Sequence, residues 1–174
     1  MPIRLNVPYV TQLDMGGDPN ADDPTGCWYA SVCMIGYYFE AGPRQGLPEL
    51  YARNLGAGRT GHFATGSPQA NAALANHHEV LARREHLSPV AHCAEAYTYT
   101  IDEIEQLLRA HGPIFMYWMK TDGGQTYGHA SVIFGTDATG IIYHDSEKAP
   151  NSRMSIANFN SKRQTWRYAL MQRA

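Results

Sequence analysis

A cysteine stands at residue 27, between a Pro/Gly turn and an apolar run, in "DDPTGCWYASVCMIGYYFEAG". A thiol that only fills space sits inside an element. One in the first turn of a helix faces unpaired backbone N–H groups and the positive end of the helix dipole. Such a position favours the thiolate, the form of sulfur that attacks a carbonyl. A nucleophile of this kind needs a base within hydrogen-bond reach, and the base needs an acceptor that orients it.

Eight histidines compete for the role of base. His62, His77, His78, His86, His92 and His111 fall in polar loops or on helix flanks, where a solvated histidine needs no explanation. His129 differs. It opens the strand-like run "HASVIFG" directly after a glycine-rich turn, so its ring can stand at the end of a sheet while the strand below it is locked in the core. Without chemistry, the same position suits a strand-capping histidine. Asp145 ends the next strand candidate, "IIYHD". Pairing Ile133 with Ile141 in a hairpin brings His129 level with Asp145, where a carboxylate fixes the imidazole tautomer and stabilises its charged form. The plain alternative is an Asp that caps a turn.

An acyl-transfer site also needs oxyanion donors. The backbone N–H of Cys27 is one, and a side-chain amide is the usual second. Gln12, in "VPYVTQL", is the upstream glutamine in an apolar context, with Gln69 and Gln125 as competitors.

The elements that must hold these groups follow from pattern. Trp28, Val32, Ile35 and Phe39 recur at helical spacing, and Ala30, Met34 and the tyrosines at 37 and 38 thicken the stripe until most of the cylinder is apolar. This predicts a central helix over 27–40, stopped by Gly42 and Pro43. Cys33, about 240° around that helix from Cys27 at helical spacing, reads as a core residue; Cys93 has no assignment. Further helices are expected over 48–55 and from Pro68 to about Asn76, with loops at 14–26 and 56–67. "YTYTIDEIEQLLRAHGP" is the clearest local signal: Thr100 is the N-cap, Glu103 closes a capping box, Ile101, Ile104, Leu107 and Leu108 make the stripe, and Gly112-Pro113 end it. The period then changes to strands at "PIFMYWM", "HASVIFG" and "IIYHD", separated by the turns "KTDGGQTYG" and "TDATG". "MSIANFNSKRQ" is a short helix or loop, and "TWRYALMQ" a closing strand. Helices first and an antiparallel sheet afterwards is an α+β pattern. It implies one domain over 1–174, with a helical half to about 111 and a sheet half from about 112.

Bulk properties narrow the class. The 174 residues are 44% hydrophobic and 17% charged with a net charge of -2, enough for one real core and no basic field for nucleic acid. Three cysteines without a CxxC pair suit neither a disulfide framework nor a thiol zinc site. The N-terminus lacks the apolar run of a signal peptide, and no stretch is long enough to span a membrane. No cofactor or metal is expected; a zinc site from Cys27 and His129 needs a further ligand, for which His144 or Asp145 stands nearby.

Several short motifs in the right order carry a resemblance. "VPYVTQ" at 7–12, "CWYA" at 27–30, Gly112-Pro113 before a strand, Gly128-His129-Ala130, and Asp145 after an apolar strand together resemble the compact bacterial papain-like cysteine peptidases. The nearest of these are the C39-like and AvrRpt2-type (C70) effector peptidases. The resemblance spans 7 to about 146, and residues 42–98 carry none. It implies a papain-like fold, with the nucleophile helix packed on the sheet, and peptide-bond hydrolysis through a thioester. Cys27 is then the nucleophile, His129 the base, Asp145 the orienter and Gln12 the oxyanion donor. It also implies a protein or peptide substrate and export by a signal-peptide-independent route into a target cell, with a cytoplasmic place if not exported. A monomer is expected, and the short stretch ahead of Gln12 leaves no room for an inhibitory pro-segment, so the protein is expected to be made in its mature form. Two other readings stay open. One is a peptidoglycan amidase or endopeptidase of the NlpC/P60 kind, with His144 as third member, or a deamidase or acyltransferase on the same scaffold. The other is an inert binding domain presenting Tyr29, Tyr37, Tyr38, Trp118 and Tyr127.

Overall fold

A computed structural model describes residues 2–12, 26–39, 78–83 and 85–173. The helices expected over 48–55 and 68–76, most of the two loops around them, and Gln69, His62 and His77 lie outside the described residues. The described elements, in chain order, are α1 (Cys27–Phe39), β1 (Leu87–Pro89), α2 (Ile101–His111), β2 (Ile114–Asp122), β3 (Gln125–Thr136), β4 (Gly140–Asp145), β5 (Ala149–Ser155), α3 (Ile156–Lys162) and β6 (Leu170–Arg173). Residues 78–83 are also helical.

The strands form one six-stranded sheet in the order β1-β6-β2-β3-β4-β5. Every neighbouring pair in it is antiparallel. Strand alternation sends successive side chains to opposite faces, and two cores result. On one face Phe115, Tyr117, Ala130, Val132, Phe134 and Ile142 pack with Trp28, Val32, Met34 and Ile35 of α1. On the other, Ile114, Met116, Trp118, Ile133 and Tyr143 pack with Ile104 and Leu108 of α2 and Phe159 of α3. Fully buried side chains of this size contribute roughly 1.5–3 kcal/mol each.

α1 has the pervasive apolarity of a central helix, and residues from Ala30 through Gly36 are all buried. Cys33 is buried within it, as a core residue should be. The capping box of α2 is complete: the Thr100 hydroxyl accepts from the Glu103 N–H, and Glu103 accepts from the Thr100 N–H. Gly112 caps the other end, donating to the Leu108 carbonyl.

The turn expected over 120–128 is far tighter. Only Gly123 and Gly124 turn, with φ of 55° and 80°, and Lys120 pairs with Tyr127 inside the hairpin. Two consecutive left-handed residues match the twist of the flanking strands, which is why a Gly-Gly pair can close them. His129 therefore lies inside β3 and does not open it. "MSIANFNSKRQ" divides between the end of β5 and α3, and the closing strand is confined to Leu170–Arg173.

The N-terminal segment straps along the sheet. Leu5 donates to the Phe134 carbonyl at 2.8 Å, Thr136 to the Ile3 carbonyl at 2.9 Å, and Gln12 to the Ser146 carbonyl at 3.0 Å. On the opposite side of the chain path, the buried Arg163 guanidinium donates to the carbonyls of Cys93, Glu95 and Tyr97 and lies over the Tyr99 ring. Cys93 is buried beside it, its thiol donating to the Arg167 carbonyl at 2.9 Å.

Candidate active site

His129 is 1% exposed and faces Trp118 across the β2–β3 ladder. Its Nε2 lies 2.8 Å from Asp145 Oδ1. The ring is also within hydrogen-bonding reach of the Cys27 thiol at the start of α1. With Nε2 committed to the carboxylate, Nδ1 is the ring nitrogen left to face the sulfur. The residue before it has to be glycine: a Cβ at Gly128 falls 1.7 Å from the Tyr117 hydroxyl. Tyr117 is 3% exposed, and its phenol is held in the neutral form by burial and by the neighbouring sulfur of Cys27.

Asp145 reaches His129 through a register different from the expected one. Ile133 pairs with Tyr143, not with Ile141, and a bulge between Ile133 and Gly135 shifts the rest of the ladder. A slip of two residues keeps every side chain on its own face. Asp145 thus still points to the imidazole side, but diagonally, and continuing the register sets Glu147 level with His129. Glu147 Oε2 lies 4.0 Å from His129 Nδ1.

Glu147 and its partner Lys120 belong to none of the sequence motifs, yet both reach the site. The Lys120 ammonium, in a side chain 4% exposed, lies 2.8 Å from Asp145 Oδ2 and 2.6 Å from Glu147 Oε2. The Tyr127 hydroxyl donates to the same Glu147 oxygen at 2.6 Å. The Glu147 N–H donates to Asp145 Oδ1 at 3.1 Å. A lysine three residues ahead of a Gly-Gly pair, in phase with buried strand positions, was the available signal.

These contacts fix the charges. Burial alone pushes the His129 pKa down, but the hydrogen bonds and charges of Asp145 and Cys27 outweigh it and raise the value to about 9. Burial acts in the opposite sense on Asp145, and its bonds to His129 and Lys120 win, holding it well below the usual carboxylate range. Glu147 is also lowered: burial raises it, and the bonds from Lys120 and Tyr127 more than offset that. The geometry supports an imidazole held by an ionised carboxylate on one side and facing the Cys27 sulfur on the other.

Gln12 is 3% exposed and anchored at Ser146, whose hydroxyl donates to its Oε1 at 2.7 Å. That bond assigns the oxygen end of the amide and leaves the NH₂ end as the donor side. Gln125 is exposed at the hairpin tip, paired with Asp122. Tyr9 adds a strut, its hydroxyl donating to the Asp145 carbonyl at 3.0 Å.

His144 points the other way, as alternation along β4 requires. Its Nε2 bonds the Val7 carbonyl at 2.9 Å, its Nδ1 accepts from the Asn151 N–H at 3.3 Å, and its ring stacks on Phe134. His78 corrects the solvated reading: it is 2% exposed and meets Phe115, Tyr117 and Trp166 edge-on. Trp118 is likewise a core residue, donating to the Ser131 hydroxyl, and not part of a recognition surface. Among the described residues, His129, Asp145 and Glu147 are spaced so that they could share a cation. The Lys120 ammonium already stands between the two carboxylates, so the group is not read as a metal site.

An antiparallel sheet with the buried Cys27 helix on one face and further helices on the other is the α+β arrangement of the papain-like peptidases. The family model described as papain-like cysteine protease AvrRpt2 matches residues 1–164. The chain belongs to that family of cysteine proteases.

Proposed function

We propose that the protein hydrolyses peptide bonds through a thioester on Cys27. His129 Nδ1 takes the thiol proton, and the sulfur adds to the substrate carbonyl. The oxyanion faces the Cys27 backbone N–H and the Gln12 amide. Collapse expels the amine, which leaves with the proton from His129; water, deprotonated by the same nitrogen, then cleaves the thioester and regenerates the thiol. Asp145 keeps Nε2–H engaged throughout, fixing the tautomer and favouring the imidazolium.

One observation carries this reading. A single imidazole lies within reach of the Cys27 thiol and, at 2.8 Å, of the Asp145 carboxylate. The same observation weighs against the cell-wall hydrolase reading, because His144 is engaged by Val7 and Asn151. Family membership supports a protein substrate, and the AvrRpt2 name supports delivery into another cell as an effector. Among the described residues no helix is long and apolar enough to cross a membrane.

The test is incubation of wild-type and C27A protein with a peptide library, purified peptidoglycan and a glutamine-containing protein in parallel. Peptide cleavage lost in C27A is the expected result. Muropeptide release, or ammonia without chain scission, overturns the peptidase assignment. No turnover by either protein, with Cys27 inert to alkylation, returns the inert binding domain.

A further inference from the structure

Lys120 and Glu147 place one positive and one negative charge beside His129, in a site that catalysis by a triad alone does not require. Lys120 reaches the imidazole through Asp145, lying 2.8 Å from the carboxylate oxygen that His129 does not use. Glu147 approaches directly, 4.0 Å from Nδ1, and is tied to Lys120 at 2.6 Å. Lysine is a poor choice for mere packing here. A side chain 4% exposed brings a desolvated ammonium into the core, and that costs stability unless carboxylates compensate it. Two carboxylates beside one buried imidazole, with no cation, leave net negative charge there, and negative charge stabilises the imidazolium beyond what a base that must release its proton needs.

We propose that Lys120 and Glu147 are positioning residues that act as opposed charges on His129: Lys120 holds its basicity down through Asp145, and Glu147 holds it up. This rests on the reading of His129 as the base. The other titratable or charged groups facing the imidazole are Cys27 from α1, Asp145 from β4 and Tyr127 from β3. Tyr9 of the N-terminal segment touches the Asp145 carbonyl, and Tyr117 of β2 lies beside Cys27. The tyrosines are neutral over the working range. Among the described residues, Lys120 and Glu147 are thus the charges that remain to tune the triad from outside it.

The imidazole can be titrated directly by NMR of ¹⁵N-histidine-labelled protein. The C27A background removes the neighbouring sulfur, and the His129 signal is identified by its loss in H129N. Relative to that parent, K120M is expected to raise the His129 midpoint, and E147Q to lower it, each by about half a pH unit or more. The double variant K120M/E147Q returns towards the parent, and K120R keeps the parent value. A structural role alone does not produce shifts of opposite sign that cancel. Midpoints that stay fixed, or that move in the same direction, overturn the proposal. Should K120M not fold, E147Q decides: a fall supports the opposed pair, and no change or a rise overturns it. Alkylation of Cys27 by iodoacetamide in otherwise native protein, with and without H129A, separates the underlying reading. A rate indifferent to His129 removes the histidine as base, whatever the titrations show.

Discussion

Ser146 holds Gln12 at both ends of the residue: its hydroxyl donates to Gln12 Oε1 at 2.7 Å, and its carbonyl accepts from the Gln12 N–H at 3.0 Å. Because Ser146 follows Asp145 in the chain, the amide and the carboxylate that orients His129 share one anchor. Q12A is expected to slow acylation by roughly 10²-fold, the usual consequence of losing one oxyanion donor. S146A keeps the amide but frees its aim, and removes one buried hydrogen bond, at about 0.5–1.5 kcal/mol of stability. Its rate should fall between wild type and Q12A. Steady-state kcat/KM with a cleavable peptide, beside denaturant melts, checks both; an S146A rate equal to wild type removes Ser146 from the mechanism.

His129 and Asp145 should not be equivalent. H129A removes the base and is expected to cost roughly 10³-fold or more in acylation. D145N leaves the imidazole in place with its tautomer unfixed, and should cost less, on the order of 10²-fold. Single-turnover acylation rates decide, and a D145N defect as deep as that of H129A makes the carboxylate more than an orienter.

Gly128→Ala forces a methyl into the space of the Tyr117 hydroxyl, since the added Cβ lies 1.7 Å from that oxygen. Tyr117→Phe does not clear the way, because the ring carbon bearing the hydroxyl is itself only 2.5 Å distant. With Tyr117 buried, overpacking of this kind costs about 1–3 kcal/mol. It also displaces the residue next to the base. G128A should therefore lose both melting temperature and activity, while wild-type stability in G128A would show that Tyr117 moves freely.

The His129 pKa is raised in the fold from its ordinary 6.5 to about 9. Its contribution to stability is therefore fully present below 6.5 and lost as pH rises through about 9. Asp145, shifted down, behaves oppositely: its contribution is present above the ordinary carboxylate pKa and lost as pH falls through its lower folded value. Urea midpoints at about pH 6 and about pH 9.5 should differ more in wild type than in H129Q, where the first contribution is gone. Equal differences contradict the raised imidazole.

What the sequence disclosed was local. The capping box at Thr100 and Glu103 and the all-round apolarity of the Cys27 helix depend on neighbours within a few residues, and both are present. The register of β3 against β4 was not readable, because it depends on the turn after Thr136 together with a bulge between Ile133 and Gly135. The face of each residue survived the error, since the slip is two residues, so Asp145 still meets His129 while Glu147 enters the site unannounced. Lys120 was hidden by reading nine residues of turn where two glycines suffice. His78 looked solvated from its polar sequence neighbours, yet Phe115, Tyr117 and Trp166, remote in the chain, enclose it.

Attack by the Cys27 sulfur is tested most directly by trapping the acyl group. Wild-type protein mixed with an activated peptide ester and quenched rapidly in acid should carry the acyl mass on the peptide containing Cys27. The adduct should build up more slowly in H129A and be missing in C27A. An acyl group found on another residue, or peptide cleavage by C27A at the wild-type rate, would contradict the assignment of Cys27 as nucleophile.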